Sequence, residues 1–362
     1  MIEMKQEIQT HTLGCKVNFA DTQQLAENVS CADEKNMEII GTCCVTAEGE
    51  RQSRKEVRRA SRRVGSGGKV FVTGCAATLD PSAFKNIAGN VEVVTGKPEE
   101  AARLISSLAV AECGARESSA SPSRASQRTR YFLKVQDGCG RRCSYCIIPS
   151  VRGRPVSLPV EDILRIAAGK VRNGCREIVV TGINVGAYND RGRGISGLLE
   201  RLSHLDGLKR LRLSSIEAAY FDKRLLQVIA ENRIIGRHLH IPLQSGDDSV
   251  LKSMRRSYDL GMFLQKIQMV KDTMPEINLT TDVIVGFPTE DAKRFEKTMR
   301  VVAEAGFTKV HVFTYSPRPG TKADLMDDKV PKQEKKRRSL LLRELSDRMG
   351  REHRERKVGQ ME

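Results

Sequence analysis

Apolar residues in this chain gather in short runs of aliphatic and β-branched side chains, separated by longer stretches whose apolar positions recur every three or four residues. Runs of the first kind read as strands and stretches of the second kind as helices. Strands are expected over Ile8 to Leu13, Met37 to Gly41, Lys69 to Thr73 and Val91 to Val94. Helices are expected from about Asn18 to Val29, Ala47 to Arg63, from about Pro81, and from Pro98 to Leu108. Strands alternating with helices predict a parallel sheet. Residues 112–129 are polar, Ser- and Arg-rich and aperiodic, which is linker composition. Beyond them the alternation resumes, with strands over Tyr131 to Val135, Glu177 to Thr181, Leu211 to Ser214, His238 to Ile241, Leu279 to Val285 and Lys309 to Thr314. Helical patterns such as Val160 to Val171 and Asp259 to Thr273 lie between them. Six βα units in this order suit an open (β/α)6 barrel with its chemistry at the strand C-termini. A basic helix from about Pro331 to Met349 closes the pattern, and Leu341, Leu342, Leu345 and Met349 give it a stripe to pack on the barrel.

Composition narrows the class. A chain of 362 residues has room for two or three domains. It holds no apolar run long enough to span a bilayer and no signal-peptide core, so a cytoplasmic protein with no membrane partner is expected. In such a protein ten cysteines point to metal binding before disulfides. The formal charge of +16 favours a polyanionic partner. Residues 51–63 carry seven basic and one acidic side chain, and residues 332–357 eleven and five, so two segments supply most of the excess. Arg51, Arg54, Arg58 and Arg62 are the candidate nucleic-acid contacts of the first segment; solvated helix faces are the alternative. With 4% aromatic residues and no Trp, phosphate contacts should outweigh base stacking.

Chemistry concentrates at the cysteines. Cys139, Cys143 and Cys146 form a C-x3-C-x2-C run in a Gly- and Arg-rich loop after a strand. Runs of this kind commonly hold iron–sulfur clusters, four thiolates to a cube; three leave one iron open to a ligand. A zinc knot or buried thiols are the alternatives, but zinc usually takes two close pairs and no partner pair with that spacing is present. Tyr145 adds a stacking surface for a purine. Cys15, Cys43 and Cys75 each fall just past the end of a strand, on what should be one edge of the first sheet, where ligands bind. They should therefore meet and hold a second cluster. His238 and His240 share one strand face and are expected to be hydrogen-bonded barrel histidines, with a metal pair as the alternative.

The C-x3-C-x-aromatic-C loop resembles that of the radical S-adenosylmethionine (SAM) superfamily. The resemblance implies that the open iron of a [4Fe-4S] cluster takes the amino and carboxylate groups of SAM and cleaves it to a 5′-deoxyadenosyl radical. The motifs T-L-G-C-K-V-N (Thr12 to Asn18), T-C-C-V-T (Thr42 to Thr46) and V-T-G-C (Val72 to Cys75) resemble the N-terminal domain of the methylthiotransferase family. That likeness implies an auxiliary [4Fe-4S] cluster on Cys15, Cys43 and Cys75, and leaves Cys31, Cys44, Cys113 and Cys175 as ordinary thiols. It also implies SAM contacts at Gly182, Asn184, Ser214, Gln244 and Gly286, which follow successive barrel strands.

Two local departures stand out: Gly41 where the family usually has Asn, and a short connection before it. A C-terminal RNA-binding TRAM domain, usual in the family, is expected to be absent. The resulting division is an α/β domain over 1–111, a linker over 112–129, a radical SAM barrel over 130–330 and a basic helix and tail over 331–362. The implied activity adds a methylthio group to C2 of N6-threonylcarbamoyladenosine at position 37 of tRNA. Sister activities on isopentenyladenosine in tRNA or on a ribosomal-protein aspartate are alternatives, as is a non-catalytic iron–sulfur RNA-binding protein. The implied partners are tRNA and a reducing donor such as flavodoxin or ferredoxin; nothing in the sequence identifies the sulfur source.

Overall fold

The computed structural model describes residues 8–29, 37–113, 129–327 and 330–359. In the first part β1 (Gln9–Thr12), α1 (Lys16–Asn28), β2 (Met37–Thr42), α2 (Ala47–Val64), β3 (Lys69–Gly74), α3 (Cys75–Leu79), α4 (Ser82–Lys85), β4 (Val91–Val93) and α5 (Pro98–Cys113) follow in order. The four strands form one parallel sheet in the order β1-β2-β3-β4. Successive side chains on its central strands go to opposite layers. Ile39 and Phe71 pack with Leu25, Ala102 and Ile105 on the side of α1 and α5. Ile40, Val70 and Val72 pack with Val57 and Ala60 of α2.

The second part runs β5 (Arg130–Asp137), α6 (Ile148–Arg152), β6 (Val156–Ser157), α7 (Val160–Arg172), β7 (Glu177–Gly182), β8 (Asn189–Asp190), β9 (Arg193–Gly194), α8 (Ile195–Ser203), β10 (Arg210–Leu213), α9 (Lys223–Glu231), β11 (His238–His240), α10 (Asp248–Ser253), α11 (Leu260–Thr273), β12 (Asn278–Val285), α12 (Ala292–Ala305), β13 (Lys309–Thr314) and α13 (Lys332–Lys357). Six of these strands lie parallel in chain order as two ladders, β5-β7-β10 and β11-β12-β13. The ladders join loosely: Leu211 pairs with Ile235, and Ile216 N donates to His240 O at 3.0 Å. This is the expected open (β/α)6 wall, with its apolar core between the strands and the outer helices.

The pattern missed several features. A helix starts at Cys75 itself, before the one expected near Pro81. The antiparallel strand β6 and the two-residue hairpin β8–β9 are too short to leave a periodic signal. Helix α5 reaches Cys113, into the expected linker, whose residues 114–128 lie outside those described, as do Cys31 and the connection before Met37. Helix α13 continues to Lys357, and its Leu342 and Leu345 are buried against the barrel. Among the described residues no helix is long and apolar enough to cross a membrane.

The two parts are not merely tethered. Helix α1 packs on β5 and β7, with Phe19 edge-on to Phe132 at 4.9 Å. Glu27 of α1 pairs with Lys170 at 2.6 Å, and Arg318 of the loop after β13 pairs with Glu50 of α2 at 2.6 Å.

Candidate functional site

Cys15 caps α1 directly after β1, Cys43 follows β2, and Cys75 opens α3 after β3. The parallel pairing of these strands sets the three positions on one sheet edge. Asn18 ties the edge together, donating from Nδ2 to Leu13 O at 2.7 Å and Thr42 O at 2.9 Å. Gly14, at φ +102°, lets β1 close on β2: a Cβ there would stand 2.9 Å from Cys43 Sγ. Gly41 has a packing reason as well, since a Cβ there would meet Thr22 Oγ1 at 2.3 Å.

The three thiols sense one another. The Cys15 residue is open to solvent, yet the enclosing groups and the Cys75 thiol raise its pKa; burial lifts that of Cys43 to about 11, and the Cys75 and Cys15 thiols add to it. Cys75 goes the other way: the neighbouring Cys44 thiol and the charge of Arg152 lower its pKa. Cys44, set aside from sequence, therefore lies buried against a member of the triad. Cys175 is a structural thiol that bonds the Glu177 carbonyl at 3.2 Å.

Arg152, on the short helix after the cysteine loop, joins the two parts. Its Nε donates to Cys75 Sγ at 3.2 Å, Nη1 to Asp21 at 2.8 Å and Asp137 at 3.1 Å, and Nη2 to Asn18 at 3.3 Å. Lys134 bonds the same two carboxylates.

Cys139, Cys143 and Cys146 occupy the loop between β5 and α6. Burial raises the Cys139 pKa and lifts that of Cys146 to about 12, and the Cys143 thiol adds to both. Arg256 plays the part here that Arg152 plays above. Its Nη1 lies 3.3 Å from Cys143 Sγ and 3.5 Å from the Tyr145 hydroxyl, while Nη2 pairs with Glu217 at 2.8 Å. All eight cysteines with described side chains are free thiols. Among the described residues no three His, Cys, Asp or Glu groups are drawn in to the spacing of a single bound ion. A four-iron cube, with each thiolate on a different iron, takes a wider set.

The remaining sequence candidates divide. Ser214 Oγ and Gln244 Oε1 are buried with no hydrogen-bond partner, and Gln244 holds φ +68°. Buried polar atoms are normally satisfied, so this pair suits a polar ligand such as SAM. Gly182 lies against Gln136, whose Oε1 accepts from Asn184 N at 2.8 Å. Asn184 Nδ2 donates to the Tyr220 hydroxyl at 3.1 Å. Tyr145 packs edge-on to Phe287, ring centroids 6.5 Å apart. Gly286, at φ +73°, donates from N to Glu290 at 2.7 Å, and a Cβ there would run into the Lys335 side chain of α13.

The basic segments are less free than their count suggested. Arg51 is paired with Glu48 and Arg54 with Glu50. Arg58, Arg62 and Lys55 are exposed on one face of α2 with no acidic partner among the described residues. On α13, Arg338 is buried on Glu290 at 2.8 Å. His238 and His240 both bond Thr280 Oγ1 at 2.9 Å, as expected of barrel histidines. Sequence reasoning missed Arg152, Arg256, Glu217 and Arg318, because long-range pairing leaves no local pattern. A groove of about 780 Å³ between α9 and α11 lies on the outer helices, away from every thiol.

Known proteins resemble the chain in both parts. The family model described as Radical SAM superfamily matches residues 133–302, and that described as Uncharacterized protein family UPF0004 matches residues 7–96. The chain is 36% identical to the threonylcarbamoyladenosine tRNA methylthiotransferase MtaB of Chlamydia pneumoniae, over 99% of this chain and 86% of that protein. It is 35% identical to the Bacillus subtilis protein of the same name, over 95% and 81%. It is 31% identical to the tRNA-2-methylthio-N(6)-dimethylallyladenosine synthase of Helicobacter pylori, over 90% and 79%. Among solved structures, the radical S-adenosylmethionine methyltransferase TsrM of Kitasatospora setae, with cobalamin and a [4Fe-4S] cluster bound, superposes with a TM-score of 0.58. That match has 14% identity and covers 83% of this chain and 68% of that one, so it speaks for the fold alone.

Proposed function

The chain belongs to the radical SAM methylthiotransferase family, and from that premise we propose that it adds a methylthio group to C2 of N6-threonylcarbamoyladenosine at position 37 of tRNA. The observation that carries the reading is the pair of thiol triads, one on each part of the chain, linked through Arg152 at 3.2 Å from Cys75. Cys15, Cys43 and Cys75 would hold one [4Fe-4S] cluster, and Cys139, Cys143 and Cys146 the other. With SAM bound, such clusters supply a carbon radical strong enough for an inert C2–H bond and the sulfur that replaces the hydrogen, chemistry no side chain provides.

The chain's own residues place and shield the reactants. Ser214 and Gln244 offer their partnerless oxygens to SAM, with Gly182, Asn184 and Tyr145 around them. Arg152 and Arg256 each donate to one thiolate and hold charge balance in a buried site. Phe19 and Phe132 pack where α1 meets the barrel wall and help keep water from the joint. Helix α2 meets RNA phosphates through Lys55, Arg58 and Arg62. The division at 111, 129 and 330, a cytoplasmic location and a donor such as flavodoxin or ferredoxin belong to the same reading.

The test is mass spectrometry of tRNA nucleosides from a host lacking its own enzyme, with and without this chain. A gain of 2-methylthio-N6-threonylcarbamoyladenosine is expected. A gain of the isopentenyl analogue instead would move the chain to the sister activity, and no change in cells with loaded clusters would overturn both.

A further inference from the structure

The loop that follows β13 sends one buried cation back to the first part of the chain. Pro317 and Pro319 restrict the backbone on either side of Arg318, and Thr321 N closes a turn on the Arg318 carbonyl at 3.1 Å. Thr321 Oγ1 donates to the same carbonyl at 2.8 Å. Ser316 Oγ accepts from Ala47 N, the first residue of α2, at 3.1 Å. Arg318 Nη2 donates to Glu50 Oε2 in the same helical turn at 2.6 Å. A stiff arch thus holds the guanidinium against the start of α2.

That contact leaves a donor unused. Glu50 gives its other oxygen to Arg54, so one carboxylate serves two guanidinium groups. The Arg318 side chain is 6% exposed, and its Nε–H is buried with no hydrogen-bond partner among the described residues. Buried donors are normally satisfied, so this one points to a group that binds beside it. The same turn of α2 borders the auxiliary triad. A Cβ at Gly49 would stand 3.6 Å from Cys43 Sγ. Ser53 Oγ accepts from Cys43 N at 3.0 Å and donates to Gly49 O at 2.8 Å. Cys43 and Arg318 therefore meet one helical turn at adjacent residues, Gly49 and Glu50.

A cube held by three thiolates is anionic, and hydrogen bonds to its sulfurs help set its reduction potential. We propose that Arg318 donates its Nε–H to sulfur at the Cys43 corner of the auxiliary cluster, as Arg152 Nε does to Cys75 Sγ at 3.2 Å. A donated proton and a positive charge favour the reduced, more negative cluster, so Arg318 raises its potential. Arg318 is then a positioning residue, and both arginines reach the auxiliary site from the barrel part, which supplies none of its thiols. The inference rests on the auxiliary cluster of the function proposed above.

The test is a redox titration of the reconstituted full chain followed by electron paramagnetic resonance, the auxiliary signal being the one that Cys143→Ala retains. Arg318→Met should lower the auxiliary potential at about eight irons per chain and leave the other cluster's potential in place. Arg318→Lys, which keeps a cation for Glu50 but has no Nε–H, should lower it by less. Glu50→Gln removes the ion pair, keeps the donor and should not lower it. Loss of about four irons from Arg318→Met, with Glu50→Gln still fully loaded, would support the same contact through cluster retention. The inference is overturned if either Arg318 variant keeps the wild-type potential or shifts both clusters alike. It is also overturned if Glu50→Gln reproduces the effect of Arg318→Met on potential or iron content. Wild-type protein that loads about four irons, with no auxiliary signal, would overturn the two-cluster reading along with it.

Discussion

Arg152 and Cys75 lie 77 residues apart in sequence and 3.2 Å apart in space, joined by an Nε–H donated to sulfur. The guanidinium comes from the helix that follows the second triad and the thiol belongs to the first. One side chain from the element after the second triad therefore reaches a thiol of the first, and Asp21 and Asp137 accept from another of its nitrogens.

Removing Arg152 should be costly. Its side chain is 9% exposed and its partners Asp21 and Asp137 17% and 33%, so Arg152→Met leaves two half-buried carboxylates with Lys134 as the remaining cation. Removing one partner from such half-buried, hydrogen-bonded carboxylates should cost about 1–3 kcal/mol. The chemical-denaturation midpoint should fall accordingly, and Arg152→Met combined with Asp21→Asn should lose less than the two single losses added.

Anaerobic reconstitution should load about eight irons per chain, four to each cube. Cys43→Ala and Cys143→Ala should each retain about four, read by iron assay together with the protein's visible absorbance. A wild-type content near four, unchanged by Cys43→Ala, would remove the auxiliary site from the proposed mechanism.

Helix α2 allows a comparison within one element. Arg58→Ala and Arg62→Ala remove unpaired cations, and each should lower the slope of log Kd for tRNA against log salt by about 0.7–0.9. Arg51→Ala should change it less, because Glu48 already holds that guanidinium at 2.6 Å. Equal effects at all three positions would mean that the ion pairs open on binding.

The barrel histidines make the fold acid-sensitive. Burial, followed by the charge of Arg212, lowers the His238 pKa to about 4, with His240, Lys16 and His311 adding to the push. An unfolded histidine titrates near 6.5. Protonation therefore favours the unfolded chain: the stability His238 contributes is complete above about pH 6.5 and falls as pH drops toward 4. His238→Gln, which keeps a partner for Thr280, should flatten that part of the stability–pH curve measured by thermal melting.

Much of the architecture was legible because it is periodic. The runs around Ile39, Phe71 and Val283 mark central strands, and the position of each cysteine just past a strand was enough to bring the triads to sheet edges. What stayed hidden depends on pairing across long sequence separations. Nothing near Arg256 announces that its guanidinium will lie 3.3 Å from Cys143, and nothing near Arg318 announces Glu50. Charge counting also overstated the free basic surface, since composition does not reveal that Arg338 is buried on Glu290 or that Arg54 is held by Glu50. A glycine after a strand signals close approach, and at Gly286 the approach that the structure shows is that of the Lys335 side chain, which the sequence around the glycine does not announce.

Helix α1, lying across β5 and β7, gives the barrel part of its wall from a different stretch of the chain. The reaction vessel is therefore a composite, and neither half contains it. A barrel expressed alone would leave the face of β5 and β7 that α1 covers open to solvent. Any swap of first parts between relatives must carry a matching α1 face or leak.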